Sequence, residues 1–159
     1  MRGDATNMDD KLYQDIEANF TVYLTDKKLR KTPERYTILE QICTFPGHFD
    51  IYALHQRLDK ENFHVSKSTV YNTVEVLVDA GVLVRHQINS QSIQYELRIY
   101  AENHLHLICT RCGKLREIKN TMFNLPIDRL KTRRFYPEHH SLYVYGLCSR
   151  CKYGKNRKV

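Results

Sequence analysis

The chain has no apolar run approaching the ~20 residues that a helical membrane span requires, and its first ten residues are polar and partly acidic. A secretory leader and a transmembrane helix are therefore not expected, so the protein reads as cytoplasmic with no membrane partner. Internal repeats and low-complexity tracts are also missing, which excludes solenoids and long disordered tails. Acidic residues are scarce in the second half: residues 98–159 hold 4 Asp and Glu against 14 Lys and Arg, a balance of +10. Residues 1–97 hold 14 against 11, or −3. An overall charge of +7 marks a candidate polyanion binder, but its uneven distribution means that pI alone does not locate a DNA-binding surface. At 159 residues, 42% hydrophobic and 27% charged, the chain suits one medium domain or two small ones, not a large enzyme.

Cysteine use is the sharpest feature. Four of the five cysteines form two Cys-x-x-Cys pairs, Cys109 with Cys112 and Cys148 with Cys151. Without an export signal, stable disulfides are disfavoured, and two such turns distant in sequence can close on one zinc ion as four thiolates. A thioredoxin-like redox enzyme would need only one pair, near a βαβ pattern that is absent. A zinc hydrolase is disfavoured because four thiolates leave no position for a reactive water. Cys43 lies in an apolar helical stretch and reads as a buried core thiol.

Helical periodicity places a first helix over Asp9–Thr25, with Leu12, Ile16, Phe20 and Tyr23 on one stripe. Thr32 as N-cap and Pro33 in the first turn start a second helix that runs to about Thr44. A third spans Ile51–Lys60. Ser66 caps a fourth, ending near Ala80 before Gly81, whose apolar face is Val70, Val74, Leu77 and Val78. Strand-like runs follow at Val82–Ile88 and Ile93–Leu97. Three short helices and then a β-hairpin is the order of a winged helix-turn-helix.

Arg98–Asn103 breaks the pattern and reads as a hinge. Strands are expected at His104–Thr110, Lys114–Ile118 and His140–Leu147, with a helix at Phe123–Phe135 and a frayed basic end at Lys152–Val159. The class is thus α+β, with a winged-helix domain (1–97), a hinge (98–103) and a small α/β domain (104–159). At about 60 residues the second domain buries too little surface to stand alone comfortably and needs a zinc staple, a dimer interface or both. The Leu142–Leu147 strand and the Phe123–Phe135 helix are the expected dimer surfaces.

On the fourth helix, Ser68, Thr69, Tyr71 and Asn72 lie off the apolar face, where hydroxyl, phenol and amide groups suit phosphate and base-edge contacts. A solvated helix face is the plain alternative, and the helix-turn-helix order tips the balance toward DNA. Arg30, Lys31 and Arg35 then suit phosphates or a minor groove. His104 and His106 share one strand face, a spacing that by itself leaves metal ligation and a plain surface role both open.

Several stretches together resemble the ferric uptake regulator family of metal-dependent repressors, from about Leu29 to Cys151. They are 29–35 (LRKTPER), 68–74 (STVYNTV), 81–86 (GVLVRH), 104–113 (HLHLICTRCG) and 140–148 (HSLYVYGLC). The resemblance implies a homodimeric regulator of double-stranded operator DNA, with no enzymatic activity and no small organic substrate. It implies structural Zn²⁺ on Cys109, Cys112, Cys148 and Cys151, and a regulatory metal on His48, Glu96, His104, His106 and Glu117. Arg30, Thr32 and Arg35 match positions that touch DNA backbone or minor groove, and Tyr71 and Asn72 the base-facing pair, where relatives often carry arginine in place of Asn72.

A third metal site found in parts of the family falls on Asn103, Leu105, Asn124 and His140. Leucine offers no donor atom, so that site is expected not to function here. Fe²⁺ is the expected regulatory ion, with Mn²⁺, Co²⁺ or Zn²⁺ as substitutes. Peroxide-sensing relatives tend to carry aspartates at the positions of Glu96 and Glu117, and zinc-sensing ones often recruit a cysteine. The expected control is a metal clamping the DNA-binding domain to the dimerisation domain. The alternatives are a zinc- or peroxide-sensing regulator and a metal-independent winged-helix protein.

Overall fold

The computed structural model describes residues 9–89, 92–101, 104–119, 133–136 and 140–154. The chain forms two compact units, Met1–Gln87 with Ile93–Arg98 and Ile88–Ser92 with Ile99–Val159. In the first, helices α1 (Asp10–Asp26), α2 (Pro33–Cys43), α3 (Ile51–Lys60) and α4 (Lys67–Asp79) precede a two-stranded sheet of β1 (Leu83–Asn89) and β2 (Ser92–Leu97). This is a winged helix-turn-helix.

Local chemistry sets the helix boundaries. The Asp50 side chain accepts from the Ala53 N–H at 2.7 Å and Ser66 Oγ from the Thr69 N–H at 3.1 Å, each satisfying one of the orphan donors of a helix start. Thr32 occupies the N-cap of α2 but makes no capping bond with its side chain. The Glu34 carboxyl is held below its ordinary value first by a backbone N–H and then by the Thr32 hydroxyl. Gly81 ends the α4 segment at φ +71°, a backbone conformation that favours glycine.

The first core joins Phe20 and Leu24 of α1, Ile38, Leu39 and Ile42 of α2, Leu54 and Leu58 of α3, and Val70, Val74 and Leu77 of α4. Two details depart from the periodicity. Leu24, not Tyr23, completes the buried stripe of α1, because Ile16, Phe20 and Leu24 repeat at i, i+4 and i+8. On α4 the buried fourth member is Thr73, whereas Val78 is half-buried.

Burial pushes the Cys43 thiol up to about 12, with Glu40 adding to it. Tyr13 and Tyr95 are also raised to about 12, both chiefly by burial. These groups stay neutral in the fold at pH values where the unfolded chain ionises, so the unfolded state gives up protons first. Their contribution to stability is complete below about pH 9 and is lost as pH rises toward about 12. Thermal melts between pH 7 and 11 should be flat to about pH 9 and then fall, and Tyr95→Phe should flatten part of that fall.

After β2, residues Arg98–Ala101 form a short helix, α5, so most of the expected hinge that is described has regular structure. The second unit carries β3 (His104–Cys109), β4 (Leu115–Lys119), β5 (Leu142–Gly146) and α6 (Ser149–Tyr153). The strand order is β4-β3-β5, with β3 antiparallel to β4 and parallel to β5. Helix α6 shows that Lys152 and Tyr153 are ordered rather than frayed, because the Cys148 carbonyl accepts from the N–H groups of both Cys151 and Lys152 at 2.9 Å. Most of the expected Phe123–Phe135 helix lies outside the described residues. Its expected end is corrected, since Arg133 and Arg134 form a turn and Phe135 a bridge. Among the described residues, no helix is long and apolar enough to cross a membrane.

Candidate metal centres and DNA-facing surface

The parallel register of β3 and β5 assembles the thiolate centre. It sets Cys109, the last residue of β3, beside Gly146, two residues before Cys148, so both Cys-x-x-Cys turns leave the same end of the sheet. Thr110 N–H donates to the Gly146 carbonyl at 2.8 Å and Gly113 N–H to the Cys109 carbonyl at 2.9 Å, which ties down the first turn. The four sulfurs lie within 4.8 Å of one another, and Cys112 and Cys148 Sγ are 3.8 Å apart. Zinc–sulfur bonds of about 2.3 Å in a tetrahedron separate sulfurs by about 3.8 Å, so the quartet fits a structural zinc ion.

Electrostatics favour thiolates there. Cys148 N–H donates to Cys109 Sγ at 3.4 Å, and this backbone donor is the first cause that lowers the Cys109 thiol to about 6. The Cys148 thiol is lowered mainly by the Cys151 N–H. The Cys151 thiol is raised to about 12, first by the Cys112 side chain, so the quartet without metal shares protons that zinc would displace. Arg111, Lys114, Arg116 and Arg150 line the adjacent cavity, placing cations beside a centre whose charge with zinc is net negative.

Further candidate donors lie in each of the two units. In the second unit, His104 and His106 project from one face of β3 with their Nε2 atoms 3.0 Å apart. Two imidazoles ligating one cation at about 2.1 Å place their nitrogens about 3.0–3.4 Å apart, depending on geometry. His106 is fully buried and stacks on Tyr143 at 5.2 Å between ring centres. Glu117 of β4 is its register partner, and directly opposed residues of a ladder share a face.

In the first unit, an isolated bridge pairs Phe49 with Tyr95, with backbone bonds of 3.0 and 2.8 Å. The neighbours of that pair are His48 and Glu96, which meet as His48 Nε2 and Glu96 Oε1 at 3.3 Å. Sequence reasoning missed His86, whose Nε2 abuts the same Glu96 oxygen. The readable signal was alternation in β1, which turns Val84 and His86 inward and Arg85 and Gln87 outward. Of the third set, expected not to function, Asn103 and Asn124 lie outside the described residues, while Leu105 stands on β3 without a donor side chain.

Of the residues expected to meet DNA, Tyr71 and Asn72 are exposed. Ser68 and Thr69 hydroxyls are each 2.8 Å from Ser66 Oγ, so both belong to the cap of α4. Arg35 Nη1 donates to the Arg30 carbonyl at 2.9 Å, fixing the approach to α2, and the Arg30 side chain is exposed.

Fold and donor sets define a winged-helix DNA-binding protein equipped to hold metal. Residues 26–145 match the model of the ferric uptake regulator family, and the chain belongs to that family. Its members are metal-responsive transcription regulators, not enzymes; they bind operator DNA and form dimers. The chain is 29% identical over 126 residues to the peroxide-responsive repressor PerR of Staphylococcus aureus, covering 78% of this chain and 83% of that one. Among solved structures it is similar to the Vibrio cholerae ferric uptake regulator (27% identity, TM-score 0.55, 80% of this chain and 98% of that one). It is also similar to a zinc-bound manganese uptake regulator (30% identity, TM-score 0.51, 82% and 98%).

Proposed function

We propose that the protein is an iron-responsive repressor of metal-uptake genes, in which His48 and Glu96 of the first unit and His104, His106 and Glu117 of the second serve one divalent cation. The observation that carries this reading is the convergence of the His104 and His106 Nε2 atoms at 3.0 Å on a face shared with Glu117. When bound, the cation supplies a positive centre that both donor sets must face, which favours one arrangement of the two units. The histidines offer nitrogen and the glutamates oxygen, a mixed set that accepts Fe²⁺, Mn²⁺, Co²⁺ and Zn²⁺ and leaves the choice to availability.

In this reading Tyr71 and Asn72 face base edges, and Arg30, Thr32, Arg35, Ser68 and Thr69 serve the backbone, the last two at the amide-rich start of α4. A homodimer through β5 is supported by its place at the sheet edge and by exposed Val144, Tyr145 and Leu147. Such a dimer would fix the spacing of two recognition helices on a pseudo-palindromic operator. Similarity to a peroxide-responsive repressor favours a second reading, peroxide sensing on the same scaffold.

Operator duplexes selected from a random pool, titrated anaerobically with Fe²⁺, Mn²⁺ and Zn²⁺, test both. Iron should raise DNA affinity by about 5–150-fold. Loss of that gain after exposure to peroxide would favour the second reading, and affinity indifferent to every metal would defeat both.

A further inference from the structure

We propose that His86 is a positioning residue for the sensor carboxylate, holding Glu96 in the pose from which it ligates; this rests on the cation site proposed above. Three elements of the first unit converge on Glu96 Oε1. His48 comes from the loop before α3, His86 from β1, and Glu96 itself from β2. Glu96 is 3% exposed and His86 is fully buried. A carboxyl group at that depth needs polar partners in contact with it.

The two histidines are not equivalent. His48 is followed directly by the Phe49–Tyr95 bridge and belongs to a loop, whereas His86 stands inside a strand, with its ring edge-on to His48 at 5.1 Å between centres. A loop donor can adjust to an ion. His86 has no exposed surface, and its Nε2 lies nearer to Glu96 Oε1 than His48 Nε2 does, so the contact it is built to make is with the carboxylate. The floor below is fixed, because Tyr95 next to Glu96 donates its hydroxyl to Glu75 of α4 at 3.1 Å. Outer partners of this kind orient a ligating carboxylate and set its basicity, and their loss typically weakens metal binding by about 10–100-fold.

Zinc-loaded, full-length protein titrated with Co²⁺, followed by its visible absorption, tests the assignment. Wild type should bind one Co²⁺ per chain beyond the structural zinc, and His48→Ala should abolish it. His86→Leu should weaken it by about 10–100-fold. His86→Gln, which keeps an N–H near Glu96, should recover most of the affinity with the ligand-field spectrum of wild type. If His86→Leu does not fold, His86→Gln alone decides: an unchanged spectrum supports positioning and an altered one makes His86 a ligand.

Wild-type affinity in His86→Leu would overturn the proposal, leaving a core histidine. So would loss in His86→Gln as complete as in His48→Ala. Either result leaves the cation site standing. Failure of wild type to bind Co²⁺, or full binding by His48→Ala, would instead remove the site and this proposal with it.

Discussion

Cys109→Ser is expected to lose the structural zinc and, with it, the folded second unit and the dimer, while the helices of the first unit persist. The magnitudes decide this. Zinc binding by small thiolate-rich domains is worth about 10–16 kcal/mol near neutral pH, and it is coupled to folding. A small domain's entire net stability is about 5–15 kcal/mol, so a three-stranded sheet of few buried residues has no reserve to replace it. Among the described residues of that sheet, full burial is confined to His106, Ile108 and Cys109, and one of them is the residue being changed.

The expected result is one equivalent of zinc lost by elemental analysis, a monomer by light scattering, and a melt in which only the helical unit unfolds cooperatively. Retention of the dimer and of both transitions would show that zinc is not a staple. Acid should act in the same direction. Protons compete with zinc for the four thiolates, so loading should decline as pH falls, and the backbone N–H groups that lower the Cys109 thiol to about 6 work against that competition.

What could be read without coordinates was whatever a local pattern fixes. Ser66, Gly81 and the exact bounds Ile51–Lys60 are decisions of caps and turns made within a few residues. The thiolate quartet was legible because Cys-x-x-Cys constrains both sulfurs of a pair whatever the fold. How the two pairs meet was not, since the parallel pairing of β3 with β5 joins residues 37 apart in register, such as Leu105 with Leu142, and no periodicity reports that.

His86 was missed for a related reason. A histidine inside an apolar strand reads as core, and the carboxylate that it meets stands on the neighbouring strand β2, in a register that alternation alone does not give. Ser68 and Thr69 carry a second role that spacing does not show. Off the apolar face of α4, they also turn their hydroxyls onto Ser66, so the cap and the expected backbone contact draw on the same groups.

His106→Ala should remove metal stimulation of operator binding while leaving zinc content, dimerisation and metal-free DNA affinity close to wild type. The residue is buried and stacked on Tyr143, so some loss of stability in the second unit is expected as well, and His104→Ala, at a half-buried neighbour, is the companion that separates the two effects. If both variants lose stimulation but only His106→Ala melts earlier, ligation and packing are resolved. The loss should be of the order of the whole coupling, about 1–3 kcal/mol or 5–150-fold in affinity, because a two-histidine donor pair on one strand face offers no substitute nitrogen when one is removed. A mutant that responds to Fe²⁺ as wild type does would leave the second unit with no part in sensing. The 3.0 Å approach of two imidazole nitrogens would then be only a hydrogen bond between neighbours on a strand.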